Sequence, residues 1–191
     1  LQLEVYKNEK LFLPGLKFQL LGKYQNRNIP CILKAVELLI EQGFQISEQN
    51  IFRAFRSVID ITGLYGRWQI LHTHPLTVCD IGHNYHGLKW NLEQLAEINK
   101  EKIYFVLGFV KDKDIENILT LFPADANYVF TQAAIPRALA ADQLKALAEQ
   151  KGISGVAIPK VKDAYQYALQ QVQKNDIIYI GGSTFVVAEM L

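Results

Sequence analysis

Gly66-Arg67-Trp68-Gln69-Ile70-Leu71-His72-Thr73-His74-Pro75-Leu76-Thr77-Val78-Cys79-Asp80-Ile81-Gly82-His83-Asn84 is the stretch that decides the fold. Two short apolar segments, residues 69–72 and 76–79, read as a strand pair. The second ends at Asp80, and a helical pattern begins at about Asn84. A carboxylate, a glycine, a histidine and an amide therefore share one strand-to-helix turn. In open α/β sheets ligands bind at such turns, because a helix N-terminus offers free N–H groups and partial positive charge. The same residues have a plainer reading, in which Asp80 and Asn84 only cap the helix. Both readings stand at this level.

Downstream of this stretch, strands alternate with helices. Helical stripes run through Leu88, Leu92, Leu95 and Ile98, through Ile115, Ile118, Leu119 and Phe122, and through Val161, Ala164, Tyr165, Ala168, Leu169 and Val172. A further helix spans residues 139–150, and a short apolar one residues 185–190. Between them lie strands at 102–108, 127–130, 155–158 and 177–180. Apolar strands separated by helices specify a Rossmann-like, mainly parallel sheet with helices on both faces.

Upstream the texture differs. Leu1, Leu3 and Val5, then Leu11 and Leu13, then Phe18 and Leu20 alternate with polar residues, which predicts short antiparallel strands. Ile29, Ile32, Leu33, Val36, Leu39 and Ile40 form a helical face, with Pro30 placed in the first turn, where its missing N–H costs nothing. Ser47 caps a second helix that carries Ile51, Phe52, Phe55 and Val58. Periodicity breaks at Thr62-Gly63-Leu64-Tyr65-Gly66, which puts a domain boundary between about residues 60 and 66. The predicted organisation is the end of one domain in residues 1–64 and an α/β domain in 65–191. The abrupt start in mid-strand, without Met, reads as a piece of something longer.

Half of the 191 residues are apolar, enough for a sizeable core, and the formal charge is +1. An even mix of signs argues against a general nucleic-acid binder, which needs a clustered basic face. No apolar run reaches the length of a bilayer span, and charges at Glu4, Lys7, Glu9 and Lys10 interrupt any leader-like start. Cys31 and Cys79 sit in apolar segments without a CxxC or histidine partner. That predicts buried free thiols and a cytoplasmic setting.

Strand C-terminal ends gather on one edge of a parallel sheet. That edge is predicted to hold Asp80, Gly82, His83 and Asn84, then Gly108, Lys111, Asp112 and Lys113, then Thr131, and finally Gly181, Gly182 and Ser183. The glycine pair lets a backbone approach an anion, and Lys111 can supply charge to a carboxylate or phosphate. Lys113 reads more simply as part of a solvated loop, and His72 and His74 as surface residues beside a turn. The dinucleotide fingerprint G-x-G-x-x-G is absent after the first strand. So are a Walker A sequence, H-E-x-x-H and G-x-S-x-G.

These residues resemble the folylpolyglutamate synthase/dihydrofolate synthase family of Mur-type ligases. Gly66-Arg67 and Asp80-Ile81-Gly82-His83-Asn84-Tyr85-His86-Gly87 are similar to the P-G-R and D-G-A-H-N-P-x-G segments that open that family's C-terminal domain. Leu107-Gly108-Phe109-Val110-Lys111-Asp112-Lys113-Asp114 resembles its F-G-x-x-x-D-K-D. Pro136-Arg137-Ala138 resembles its P-R-A, and Gly182-Ser183 its terminal G-S. Leu21-Gly22-Lys23-Tyr24-Gln25-Asn26-Arg27-Asn28 resembles the L-G-x-H-Q-x-x-N that closes the central ATPase domain. Departures are Leu64-Tyr65 where the family has proline, Ile81-Gly82 for G-A, Tyr85 for proline and Tyr24 for histidine. The resemblance implies that residues 1–64 end the central ATPase domain and residues 65–191 form the glutamate-ligase domain. It implies an ATP-dependent ligase that phosphorylates a carboxylate and lets an amine attack the acyl phosphate. L-Glutamate would be joined to dihydropteroate or a tetrahydrofolate by a monomeric enzyme. By the same resemblance Asn28 meets adenine, Arg67 the phosphates and Asp80 the ribose. His83 and Ser183 would place the glutamate, and Lys111 would pair with one of its carboxylates. Mg²⁺ ligands are expected upstream of Leu1 and none here. This chain alone is expected to lack a complete catalytic set. The alternatives are a cell-wall Mur ligase and a non-catalytic α/β binding module.

Overall fold

The computed structural model describes residues 1–191, which divide into two compact units, Leu1–Tyr65 and Gly66–Leu191. In the first unit β1 (Gln2–Lys7) pairs antiparallel with β2 (Lys10–Lys17). The turn between them places Asn8 and Glu9 at φ 49° and 63°. Positive φ at both central residues suits the twist of a two-residue hairpin. Three helices follow: α1 (Gln25–Glu41), α2 (Glu48–Arg56) and α3 (Val58–Thr62). Ser47 and Asn50 close a reciprocal capping box on α2. Leu13, Leu16, Phe18, Leu20, Ile29, Ile51 and Phe55 form this unit's core.

The first unit departs from its sequence pattern at three places. Phe18 and Leu20 are buried but lie outside any strand, since the hairpin ends at Lys17. They are held instead by Phe18 N–H donating to the Leu1 carbonyl and by the Phe55 ring, 4.9 Å from that of Phe18. Pro30 is not in the first turn, because α1 already begins at Gln25. The amides of Gln25, Asn26 and Arg27 bond three residues back, to Gly22, Lys23 and Tyr24, and this tightened turn starts the helix early. Cys31 is exposed rather than buried.

The second unit is a six-stranded sheet in the order β3-β4-β8-β5-β6-β7. Its strands are β3 (Gln69–Thr73), β4 (Leu76–Cys79), β5 (Ile103–Leu107), β6 (Asn127–Gln132), β7 (Gly155–Lys160) and β8 (Ile177–Gly181). Only the edge strand β3 runs antiparallel. The connecting helices are α4 (Tyr85–Ala96), α5 (Ile115–Leu119), α6 (Ala141–Glu149), α7 (Val161–Gln171) and α8 (Thr184–Ala188). The inner strands β5 and β8 are apolar along their length because both faces are covered. On one face Tyr104, Val106, Val129, Ile178 and Ile180 pack with residues of α7 and α8. On the other, Phe105 contacts the rings of Phe122, Tyr128 and Tyr179. Chain order and sheet order part company at β8, which returns from the far edge to lie between β4 and β5. That is a topological switch point, and it opens beside Asp80, Gly181 and Gly108. No helix is long and apolar enough to cross a membrane.

Candidate functional site at the strand ends

The amide of Asp80 donates to the Ile180 carbonyl, and that of Gly108 to the Gly181 carbonyl. Three strand ends are thereby fixed side by side. Glycine is required where they meet. A Cβ on Gly108 would stand 2.6 Å from the Thr131 carbonyl oxygen, and one on Gly182 2.8 Å from that of Gly108. Gly182 also sits at φ 88°, which an L side chain rarely adopts.

One cluster gathers around Asp80, which is 1% exposed. Its Oδ2 accepts from the Trp68 amide at 2.7 Å. Its Oδ1 accepts from the Gly82 amide at 2.7 Å and from Asn91 Nδ2 at 2.8 Å. Asp80 is therefore no helix cap: Asn84 is, its Oδ1 accepting from the Gly87 amide. Nor does Asp80 present an open oxygen for a ribose, because its carboxylate is turned inward onto these donors. It holds the preceding loop instead. Trp68 is bonded to it at φ 52°, and the Ile81 amide donates to the Gly66 carbonyl. Gly66, at φ 74°, is tight as well, since a Cβ there would meet Ile81 Cγ2 at 2.6 Å. Arg67, half-buried between these anchors, has a buried Nη1 with no acceptor among the protein's own groups. A buried guanidinium N–H without an acceptor is costly and uncommon, and suits an incoming anion.

His83 is half-buried, with Nδ1 3.0 Å from the Ile81 carbonyl. A carbonyl only accepts, so this bond needs a proton on Nδ1 and turns Nε2 away from it. Cys79, just before Asp80, has its thiol pKa pushed up to about 12 by burial, with the neighbouring Asp80 charge adding to the shift.

A second cluster joins the loops after β5, β6 and β8. Leu139 N–H donates to the Phe109 carbonyl, and Lys111 N–H to the Arg137 carbonyl. The exposed Lys111 ammonium lies 3.4 Å from the Pro136 carbonyl, and Arg137 stacks over Phe185 at 4.7 Å. Ser183 is buried, and its Oγ caps α8 by accepting from the Phe185 amide. Lys113 pairs with Asp112.

Of the residues read from the sequence, Arg67, Asp80 and His83 are brought together, and Lys111 joins the loops that flank Ser183. Asn28 belongs to the other unit, exposed on α1 and bonded to Gln25. Sequence reasoning missed Trp68 and Asn91. Asn91 carried a signal: an amide inside the apolar stripe of Leu88, Leu92 and Leu95. No group of three or more His, Cys, Asp or Glu side chains is placed to hold a metal ion. The residues present thus offer Mg²⁺ no ligand set.

Residues 66–184 match the family described as Mur ligase, glutamate ligase domain. A dihydrofolate synthase/folylpolyglutamate synthase of Buchnera aphidicola is 31% identical over 159 residues, covering 82% of this chain and 37% of that protein. Among solved structures, the bifunctional folylpolyglutamate synthase/dihydrofolate synthase of Yersinia pestis complexed with AMPPNP and Mn ion is 25% identical. It has a TM-score of 0.68 and covers 82% of this chain and 36% of that one. The folylpolyglutamate synthase of Mycobacterium tuberculosis, complexed with ADP and AMPPCP, shares the fold, with a TM-score of 0.81 at 21% identity over 95% of this chain and 42% of that one. The chain thus spans about two fifths of the length of these relatives.

Proposed function

Because this chain belongs to the Mur ligase family through its glutamate ligase domain, we propose that it forms the C-terminal part of an ATP-dependent ligase that adds L-glutamate to dihydropteroate or a folate. The observation that carries the proposal is Arg67. Its buried Nη1 lacks an acceptor, on a loop pinned at Gly66 and Trp68 beside the sheet's switch point. A planar fork suits a phosphate better than a point charge does.

In the proposed chemistry a substrate carboxylate oxygen attacks the γ-phosphorus of ATP, and ADP leaves. The glutamate amine then attacks the acyl carbon, phosphate leaves, the nitrogen gives up a proton to solvent, and an amide is formed. A carboxylate is unreactive toward an amine until its oxygen becomes such a leaving group. The protein's share is positioning and charge stabilisation. Arg67 neutralises phosphate charge. His83 Nε2 and Lys111 hold the incoming glutamate, with Lys111 pairing a carboxylate. Ser183 sets the backbone beside Gly182 by capping α8. Asn28, in the first unit, is assigned the adenine. Asp80, its carboxylate turned inward, holds the Arg67 loop rather than a ribose. Residues 1–64 are proposed as the end of a central ATPase domain.

The test is kinetic, in a full-length ligase carrying this chain. Arg67→Ala should remove about 2–4 kcal/mol of transition-state stabilisation from ATP-dependent ligation, with Arg67→Lys recovering only part of it. Wild-type kinetics in both variants would refute the assignment.

A further inference from the structure

Asn91 lies on α4, one helical turn after Leu88 and one before Leu95, in the stripe that packs on the sheet. It is 1% exposed. A leucine would fill that place in the simplest way, and the amide therefore needs a reason. Its Nδ2 donates to Asp80 Oδ1 and to Tyr179 Oη, both at 2.8 Å. Its Oδ1 is buried without a partner. The amide orientation is fixed by chemistry, because a carboxylate oxygen can only accept and the NH₂ must face it. Gly82 makes room for this contact, since a Cβ there would come within 2.8 Å of Nδ2. The residue thus gives up one hydrogen bond to keep two donors on a fixed line.

That line leads to the ligand-facing loop. Tyr179, in the central strand β8, is fully buried. It anchors the Asn91 amide, which fixes one oxygen of Asp80. The other oxygen of Asp80 accepts from Trp68, a residue held at φ 52°. Left-handed backbone at a bulky residue is strained and persists only where surrounding contacts impose it. The next residue back is Arg67.

We propose that Asn91 is a positioning residue: through Asp80 it holds the strained Trp68 backbone and so fixes the loop that presents Arg67. The consequence for nucleotide rests on the ligase reading above, whereas the consequence for the loop does not.

The diagnostic variant is Asn91→Leu, which removes both donors together with the orphaned acceptor. The variant takes one buried donor from the Asp80 carboxylate and another from Tyr179 Oη, which outweighs removal of the orphaned carbonyl oxygen, so the melting temperature should fall by a few degrees. Amide hydrogen exchange, read by NMR on the full 191-residue chain, should accelerate on the order of tenfold more at Trp68 than at Phe105 and Val106, which follow global stability. Tyr179→Phe removes one anchor and keeps the ring, and should give a smaller change in the same direction. In the full-length ligase, Asn91→Leu should raise KM for ATP by about tenfold and leave KM for glutamate unchanged. A Trp68 acceleration no larger than that of Phe105 and Val106 in a folded Asn91→Leu overturns the proposal. If Asn91→Leu fails to fold, unaltered Trp68 exchange in Tyr179→Phe overturns it equally. Faster exchange at Trp68 with an unchanged KM for ATP supports the positioning role and refutes the phosphate contact of Arg67 instead.

Discussion

Val106 and Leu107, in the middle of the second unit's sheet, are fully buried, whereas Leu38, Leu39 and Ile40 at the end of the first unit's longest helix are 45%, 38% and 44% exposed. The contrast extends through both units. In the second, the large exposed apolar side chains are Ile70, Tyr167 and Leu191. The first, about half as long, exposes the rest, among them Tyr6, Phe44 and Ile61. It also carries an apolar groove of about 690 Å³, lined in part by Leu3, Val5, Phe12, Ile29, Leu33 and Val36. Hydrophobic periodicity was equally good in both units. A stripe at helical spacing tells which face is apolar and not what covers it. Two helical layers cover the sheet of the second unit. The first unit has one hairpin and three helices, too few elements to bury the whole stripe of α1. This fits its proposed place at the end of a larger domain.

Substitutions should therefore differ sharply in cost between the units. Phe105→Ala removes a ring packed against three others and should destabilise the second unit by about 3–5 kcal/mol. Leu38→Ala or Phe44→Ala should change the first unit's stability by no more than about 0.5 kcal/mol. Chemical denaturation, followed by probes in each unit, would read both, and comparable losses would erase the contrast.

Gly66→Ala comes next. At φ 74° and with Ile81 so near, it should cost about 1–3 kcal/mol. Thermal melting would measure this, and a neutral result would mean that the loop before β3 is not held as described.

A smaller effect separates the cysteines. Cys31, exposed on α1, should react with a thiol reagent at neutral pH, while Cys79 should react only on unfolding. The raised pKa of Cys79 also has a sign. Below about 9 both the folded and unfolded states hold the thiol proton, and stability does not depend on it. Between about 9 and about 12 the unfolded state ionises first, so stability falls as pH rises. The thiol's share of that slope should reach at most about 1.4 kcal/mol per pH unit and should be missing in Cys79→Ala, while Tyr104, Tyr128 and Tyr165, whose pKa burial also raises, keep contributing slope of the same sign. Denaturation midpoints over that range would show it.

Legibility in the sequence follows the same division. The runs that became β5 and β8 are nearly pure aliphatic and aromatic, each entered from a charged residue, Lys102 or Asp176, and left at a glycine, and they read as buried strands. Upstream, Phe18 and Leu20 alternate as a strand would, yet they are fixed by contacts to Leu1 and Phe55, distant in sequence. At the site, the position of Asp80 was readable from a strand running into a helix. Its burial was not, because its partners Trp68 and Asn91 stand 12 and 11 residues away on separate elements. The left-handed backbone of Trp68 leaves no mark in composition, since glycine is the usual sign of such a site. Asn91 did leave a mark, a lone amide in an apolar stripe.

These 191 residues are proposed to carry part of a ligase site and not the whole. Titration calorimetry of the chain with ATP, paired with phosphate release in the presence of folate and glutamate, tests this most directly. With no phosphate loop of the Walker type and no metal ligand set, the chain should bind ATP no more tightly than roughly millimolar and release no phosphate above the protein-free control. Micromolar binding, or turnover above that control, would show that the site is complete within this chain and would contradict the claim.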